Sequence, residues 1–170
     1  MRYLTIVRHA KAVSATPRGA DYDRALNKRG RAQCAQLREW ASDARELGRF
    51  GPTTALVSAA ARTRETFELA FDGTPFVAQR EFSDLIYNGY HDVWAEDVLR
   101  ELASIDPGDT SLMVVAHNPT VHVLMHALAV ELPEPLRTGA YPLAGAFVLA
   151  MDELLVGRSR YDVVASYVPD

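Results

Sequence analysis

Two hydrophobic periods alternate along this chain. Short, nearly unbroken apolar runs stand at residues 4–7, 55–58 and 111–116, each long enough for one strand buried on both faces. Between them the apolar positions recur at helical spacing. Cys34, Leu37, Ala41 and Ala44 predict a helix over 29–47 with Gly48 as its stop, and Val93, Val98, Leu102 and Ile105 predict another over 93–105, ended by Pro107-Gly108. A helix opens at about residue 59 with Ser58 as its cap, and a further one runs from 119 to 128. Residues 75–78 suit a short edge strand, and 145–151 and 161–167 two late strands. The segments 14–28, 81–91 and 132–142 carry the turn residues.

This alternation predicts a three-layer α/β/α sandwich with a mostly parallel central sheet, the two late strands making one antiparallel edge. The order of the strands is not legible in the pattern. At 170 residues, one domain spanning 1–170 is expected. The composition is 48% hydrophobic with a net charge of −4, which offers no basic footprint for nucleic acid or an anionic membrane. Any anion site must therefore be a local cationic pocket. A single cysteine, Cys34, excludes an internal disulfide and falls on the apolar face of a helix, so it is expected in the core. The initial apolar run is too short for a signal peptide and no stretch has membrane-spanning length, which makes a cytoplasmic protein the expectation.

What the buried strands run into changes the picture. The first ends in Arg8-His9, the second is followed by Arg62, and the third ends in His117-Asn118-Pro119-Thr120. In open α/β sheets ligands bind beyond the carboxyl ends of the strands, so parallel strands would bring these groups together. Asn118 is a favoured cap and Pro119 a favoured first helical residue, so unpaired backbone amides are expected beside His117. Arg64, two residues beyond Arg62, belongs to another face of its helix.

Two arginines and two histidines in one pocket match the demands of phosphoryl transfer to a histidine. The moving group carries negative charge on three oxygens, which preorganised donors must meet. Arg8 and Arg62 can each hold oxygens in a bidentate fork, and His117, if protonated, adds a third donor. His9 is then the in-line nucleophile, kept neutral by its cationic neighbours and forming a phosphohistidine that water hydrolyses. Because the protein itself supplies the positive charge, no metal or other cofactor is expected.

Three separated motifs resemble those of the histidine phosphatase superfamily, which includes the phosphoglycerate mutases. Arg8-His9-Ala10 resembles its Arg-His-Gly signature, the stretch from Ser58 to Thr63 its second motif, and Ala116-His117-Asn118-Pro119 its Gly-His-Asn-Pro motif. The stretches 8–12 and 23–30 are most similar to the SixA-like branch, the phosphohistidine phosphatases. The resemblance implies a phosphoglycerate mutase-like fold and a phosphatase acting on phosphohistidine-bearing proteins. Phosphatase activity on sugar phosphates or nucleotides, or phosphate recognition without catalysis, are the alternatives. Ala10 stands where glycine is usual, a modest change if the backbone there needs no positive φ. The acidic proton donor of larger relatives has no obvious counterpart; Asp84 is the best-placed candidate, with Glu81 behind it. A missing acid suits phosphohistidine, whose imidazole leaving group has a conjugate acid of pKa about 6.5 and needs little protonation. Lys11 and Arg24 are assigned to the pocket rim, and Tyr87, Tyr90 and Trp94 to packing or a binding lip. His122 and His126 have the spacing of a helical metal pair, but His117 is better explained by phosphate, so no metal site is assigned.

Overall fold

The computed structural model describes residues 1–152 and 159–170. Strands β1 (Arg2–Arg8), β2 (Thr53–Ser58), β3 (Val77–Ser83), β4 (Ser111–Ala116), β5 (Ala146–Met151) and β6 (Val163–Tyr167) form one sheet in the order β3-β2-β4-β1-β5-β6. β1, β2, β3 and β4 run parallel, whereas β5 runs antiparallel to both β1 and β6. The antiparallel pair occupies one edge, as the adjacency of the late strands predicts.

Strand residues alternate between two cores. Leu4, Ile6, Leu56, Leu112 and Val114 face α3 (Ala95–Ile105) and α4 (Thr120–Leu128). Val7, Ala55, Val57, Met113 and Val115 face α1 (Lys28–Ser42) and α2 (Ala61–Ala70). This period of two, with apolar residues on both sides, is why the central strands read as continuous apolar runs. It also makes the molecule the α/β/α sandwich expected. Cys34 is fully buried, and burial pushes its thiol up to about 11, leaving it a neutral core group. No helix among the described residues is long and apolar enough to cross a membrane.

Local chemistry shifts several boundaries. α1 ends at Ser42 rather than near Leu47, because Asp43 is extended and its carboxylate accepts the amide of Arg45. Ala44 is exposed, and the amide of Gly48 bonds back to the carbonyl of Asp43 inside a separate 3₁₀ turn, Leu47–Phe50. The edge strand β3 is longer and later than the 75–78 reading, because its exposed Gln79, Arg80 and Glu81 hide it from any hydrophobic pattern. The proline-punctuated loop contains a short helix, α5 (Glu134–Thr138).

The pairing of β1 with β4 positions the site. Arg8 lies in register with Ala116, so His9 and His117 follow on neighbouring strands. β2 flanks β4 on its other side with Val57 opposite Val115, which brings Ser58 and the start of α2 to the same end of the sheet.

Candidate active site

The segment after β1 is fixed by partners from three directions. The amide of His9 bonds to the carbonyl of Ala116 and its own carbonyl accepts from Ala144, each at 3.1 Å. The amide of Ala10 donates to Thr66 of α2 and that of Lys11 to Gln33 of α1, each at 3.0 Å. Ala144, at φ 54, is the only non-glycine residue with positive φ among those described, so Ala10 fits without the freedom of glycine.

A cavity of about 240 Å³ opens where the strands end, lined by Arg8, His9, Lys11, Ala12, Arg24, Arg62, His117, Asn118 and Leu143. Every residue expected at the site is there except Asp84. That carboxylate is exposed and instead accepts a 2.7 Å hydrogen bond from the hydroxyl of Tyr22.

The His9 ring is assigned one tautomer by its surroundings. Nδ1 lies 2.7 Å from the carbonyl of Ala10, which can only accept, so Nδ1 carries the proton and Nε2 keeps a lone pair. Burial drives the imidazole down to about 3; the Ala10 carbonyl opposes this, and the charges of Arg62, Arg8 and Arg24 add to it. His9 is therefore neutral at pH 7, as a nucleophile must be. The rings of His9 and His117 lie 5.3 Å apart.

The condition set for His117 as a cationic donor, that it be protonated, is not met. Burial first, then His9, Arg62 and Arg8, hold it down to about 2, with Asp21 opposing, so it too is neutral. Its Nε2 lies 2.7 Å from the hydroxyl of Ser58. Ser58 consequently does not cap α2: the N-cap is Ala60, which makes no side-chain bond. Nor does Asn118 cap α4, whose N-cap is Pro119, one residue later than expected. The carbonyl of Asn118 accepts from Asn88, and the amide of Val121 is engaged by the carbonyl of His117.

Arg8 and Arg62 are held by groups outside their own strands. Nη1 of Arg8 donates to the carbonyl of Tyr141 at 2.6 Å, and Arg62 donates to the carbonyl of Asp21 at 2.9 Å and to its carboxylate at 3.1 Å. That carboxylate also accepts from Tyr87 at 2.6 Å and from Arg24 at 2.9 Å. Burial opposes ionisation of Asp21, but the bonds from Tyr87 and Arg24 and the charge of Arg62 outweigh it and hold the carboxyl down to about 2. Asp21 is thus an anion at neutral pH that orients Arg62, and no proton donor. Sequence reading missed it, since its partner lies 41 residues away and it resembles any turn-forming aspartate. Of the two readings for Tyr87, packing or a lip, the structure shows packing: the ring is buried against His117.

The orphaned polar atoms concentrate here. Among the described residues five buried side-chain polar atoms lack a partner, and four of them, Nε of Arg8, Nε of Arg62, Nδ1 of His117 and Oδ1 of Asn118, belong to cavity-lining residues, the fifth being Oγ1 of Thr53. Buried polar groups are normally satisfied, so such a cluster, two guanidinium donors and an imidazole nitrogen beside one accepting amide oxygen, marks a site built for a polar ligand that chiefly accepts hydrogen bonds. Arg64 turns away, with Nε on the carbonyl of Ala59 and its guanidinium over Phe82. His122 and His126 stack on each other at 4.9 Å, and no group of three or more potential metal ligands converges among the described residues.

The family model of the histidine phosphatase superfamily (branch 1) matches residues 4–96. Comparison with the curated proteins gives no match. Among solved structures, the chain is similar to a candidate phosphohistidine phosphatase SixA from Agrobacterium tumefaciens, with 28% identity, 99% of both chains covered and a TM-score of 0.76. A second candidate SixA, from Nakamurella multipartitia, is 24% identical, with 99% of this chain and 96% of that one covered and a TM-score of 0.76. The protein histidine phosphatase SixA complexed with tungstate is 18% identical over 98% of this chain and 96% of that one, with a TM-score of 0.73. The latter two, below 25% identity, bear on the fold alone.

Proposed function

The chain belongs to the histidine phosphatase superfamily and is a phosphatase; from that premise we propose that it works through a phosphohistidine at His9 and that its substrates are phosphohistidine-bearing proteins. In this reading Arg8, Arg62 and His117 hold the three phosphoryl oxygens, and Lys11, Arg24 and Asn118 line the approach. The lone pair on Nε2 of His9 forms a P–N bond as the bond from phosphorus to the leaving nitrogen breaks. The substrate ring, protonated on its other nitrogen, departs as neutral imidazole and needs no further proton. A water molecule then attacks the phosphohistidine, its oxygen bonding to phosphorus as the P–Nε2 bond breaks, and His9 returns to its neutral form. The charge that must be met is supplied by guanidinium groups already in place.

One observation supports the choice of substrate: no carboxyl group lines the cavity among the described residues. Asp21, the nearest acid on the Arg62 side, is held ionised at about 2, and Asp84 lies outside. A pocket without an acid suits a leaving group that needs little protonation. The imidazole of phosphohistidine, with a conjugate acid near pKa 6.5, is such a group, and a sugar alkoxide is not.

The test is a panel of a phosphohistidine protein, sugar phosphates and an aryl phosphate, compared by kcat/KM. The phosphohistidine protein should be preferred, and a sugar phosphate turned over faster would overturn the substrate assignment. Quenching into alkaline denaturant, which spares the acid-labile P–N bond, should recover phosphate on His9. His9→Ala should abolish turnover; full activity in that variant would remove the covalent mechanism.

A further inference from the structure

We propose that Ser58 is a positioning residue for phosphoryl transfer: its hydroxyl donates to Nε2 of His117 and thereby holds the imidazole proton on Nδ1, as a donor to the phosphoryl group. The proposal rests on the reading of the pocket given above and assigns a role to a side chain that lines no part of the cavity.

Ser58 is fully buried, and among the described residues its hydroxyl has one partner, Nε2 of His117 at 2.7 Å. Nδ1 of the same ring is buried with none. Two tautomers satisfy the contact. If Nε2 carries the proton and donates to Ser58, the serine hydrogen finds no acceptor and the lone pair on Nδ1 finds no donor, so two buried groups are orphaned. If Ser58 donates to Nε2, the proton sits on Nδ1 and that N–H alone lacks a partner. The second arrangement strands fewer buried groups. It is also the only one of the two that presents a donor from the cavity-lining ring, which is what an anion requires.

Three features make Ser58 the determinant of this choice. The capping of α2 does not claim its hydroxyl, because the N-cap of that helix is Ala60 and no side chain caps it. The pairing of β2 with β4, Val57 opposite Val115, brings the ends of the two strands together, so that Ser58, one residue beyond that pair, meets His117, two residues beyond it. Burial and the neighbouring arginines keep His117 neutral, so it has a single N–H, and its effect on an anion depends on which nitrogen bears it.

The measurement is the ¹⁵N NMR signature of His117 in the resting protein, then with inorganic phosphate as probe, in wild type and in Ser58→Ala. Wild type should show the Nδ1–H tautomer, with that proton shifting on phosphate addition. Ser58→Ala should move protonation toward Nε2 and slow the phosphorylation of His9 about tenfold or more. A wild-type His117 in the Nε2–H form overturns the proposal without reference to any variant. So does a folded Ser58→Ala with unchanged tautomer and phosphorylation rate. Because the tautomer is read without substrate, failure to trap phosphate on His9 would sink the covalent mechanism while leaving this measurement to stand or fall separately.

Discussion

Arg62 is 5% exposed, with two of its nitrogens on Asp21 and the third, Nε, unpaired. A guanidinium so held presents a fixed fork, and its remaining donor has no protein group to meet. Arg62→Lys keeps the charge but loses the fork and the bonds to Asp21, since an ammonium is a point charge with other geometry. A loss of about 10²-fold or more in kcat/KM is expected, the scale of removing a preorganised donor, with the fold retained by circular dichroism. Near-native kinetics would mean that charge alone suffices. The residues of this site differ in how far sequence could find them. Arg8, His9, Arg62 and His117 follow strand ends, a position that pattern analysis can read. Asp21 and Ser58 act through contacts between segments remote in the chain, and nothing local distinguishes them from a turn former and a helix cap.

The start of α1 is tied to the loop that carries His9. Asn27 caps the helix by accepting the amide of Gly30 at 2.9 Å, and its own amide bonds to the carbonyl of Lys11 at 3.0 Å. Gly30 packs so closely there that an added Cβ would fall 2.1 Å from the carbonyl oxygen of Lys11. Gly30→Ala must therefore displace either the helix or the segment 9–12. It should destabilise the protein by about 1–3 kcal/mol, the range for overpacking, and raise KM as Lys11 shifts; denaturant melts and steady-state kinetics check both. A variant as stable and active as wild type would show that the two elements move apart freely. At this scale the sequence placed the three central strands and helices α1 to α4 because their apolar residues are buried. It missed the early end of α1 and the extent of β3, where side-chain bonding and solvent exposure, rather than burial, set the boundary.

Across the molecule, the neutral histidines couple the site to stability. His9 and His117 have folded-state values of about 3 and about 2, below the ordinary 6.5. As pH falls below about 6.5 the unfolded chain binds protons that the folded protein refuses, so their stabilising contribution is present above 6.5 and lost on acidification toward about 3 and 2. Asp21, depressed from 3.8 to about 2, adds a further loss below 3.8. The sign is the same for all three: stability rises with pH across these windows. Each histidine contributes a slope of at most about 1.4 kcal/mol per pH unit. Denaturant midpoints measured from pH 7 to pH 4 should fall, and His117→Asn should flatten the dependence. A stability independent of pH over that interval would contradict the burial of neutral imidazoles.

Local order in the chain determined the layered α/β/α class, the central strands, and the arginines and histidines that follow them, because hydrophobic period and strand termination are properties of neighbouring residues. Tertiary structure decided the rest. The strand order β3-β2-β4-β1-β5-β6 put His9 beside His117, and Ser58 against its far nitrogen. Folding carried Asp21 onto Arg62, excluded Asp84 from the cavity and made His117 a neutral group rather than a cation. The physical reason is common to all of these: proton positions and ion pairing depend on burial and on charges brought close through space, and a linear pattern holds neither distance nor dielectric.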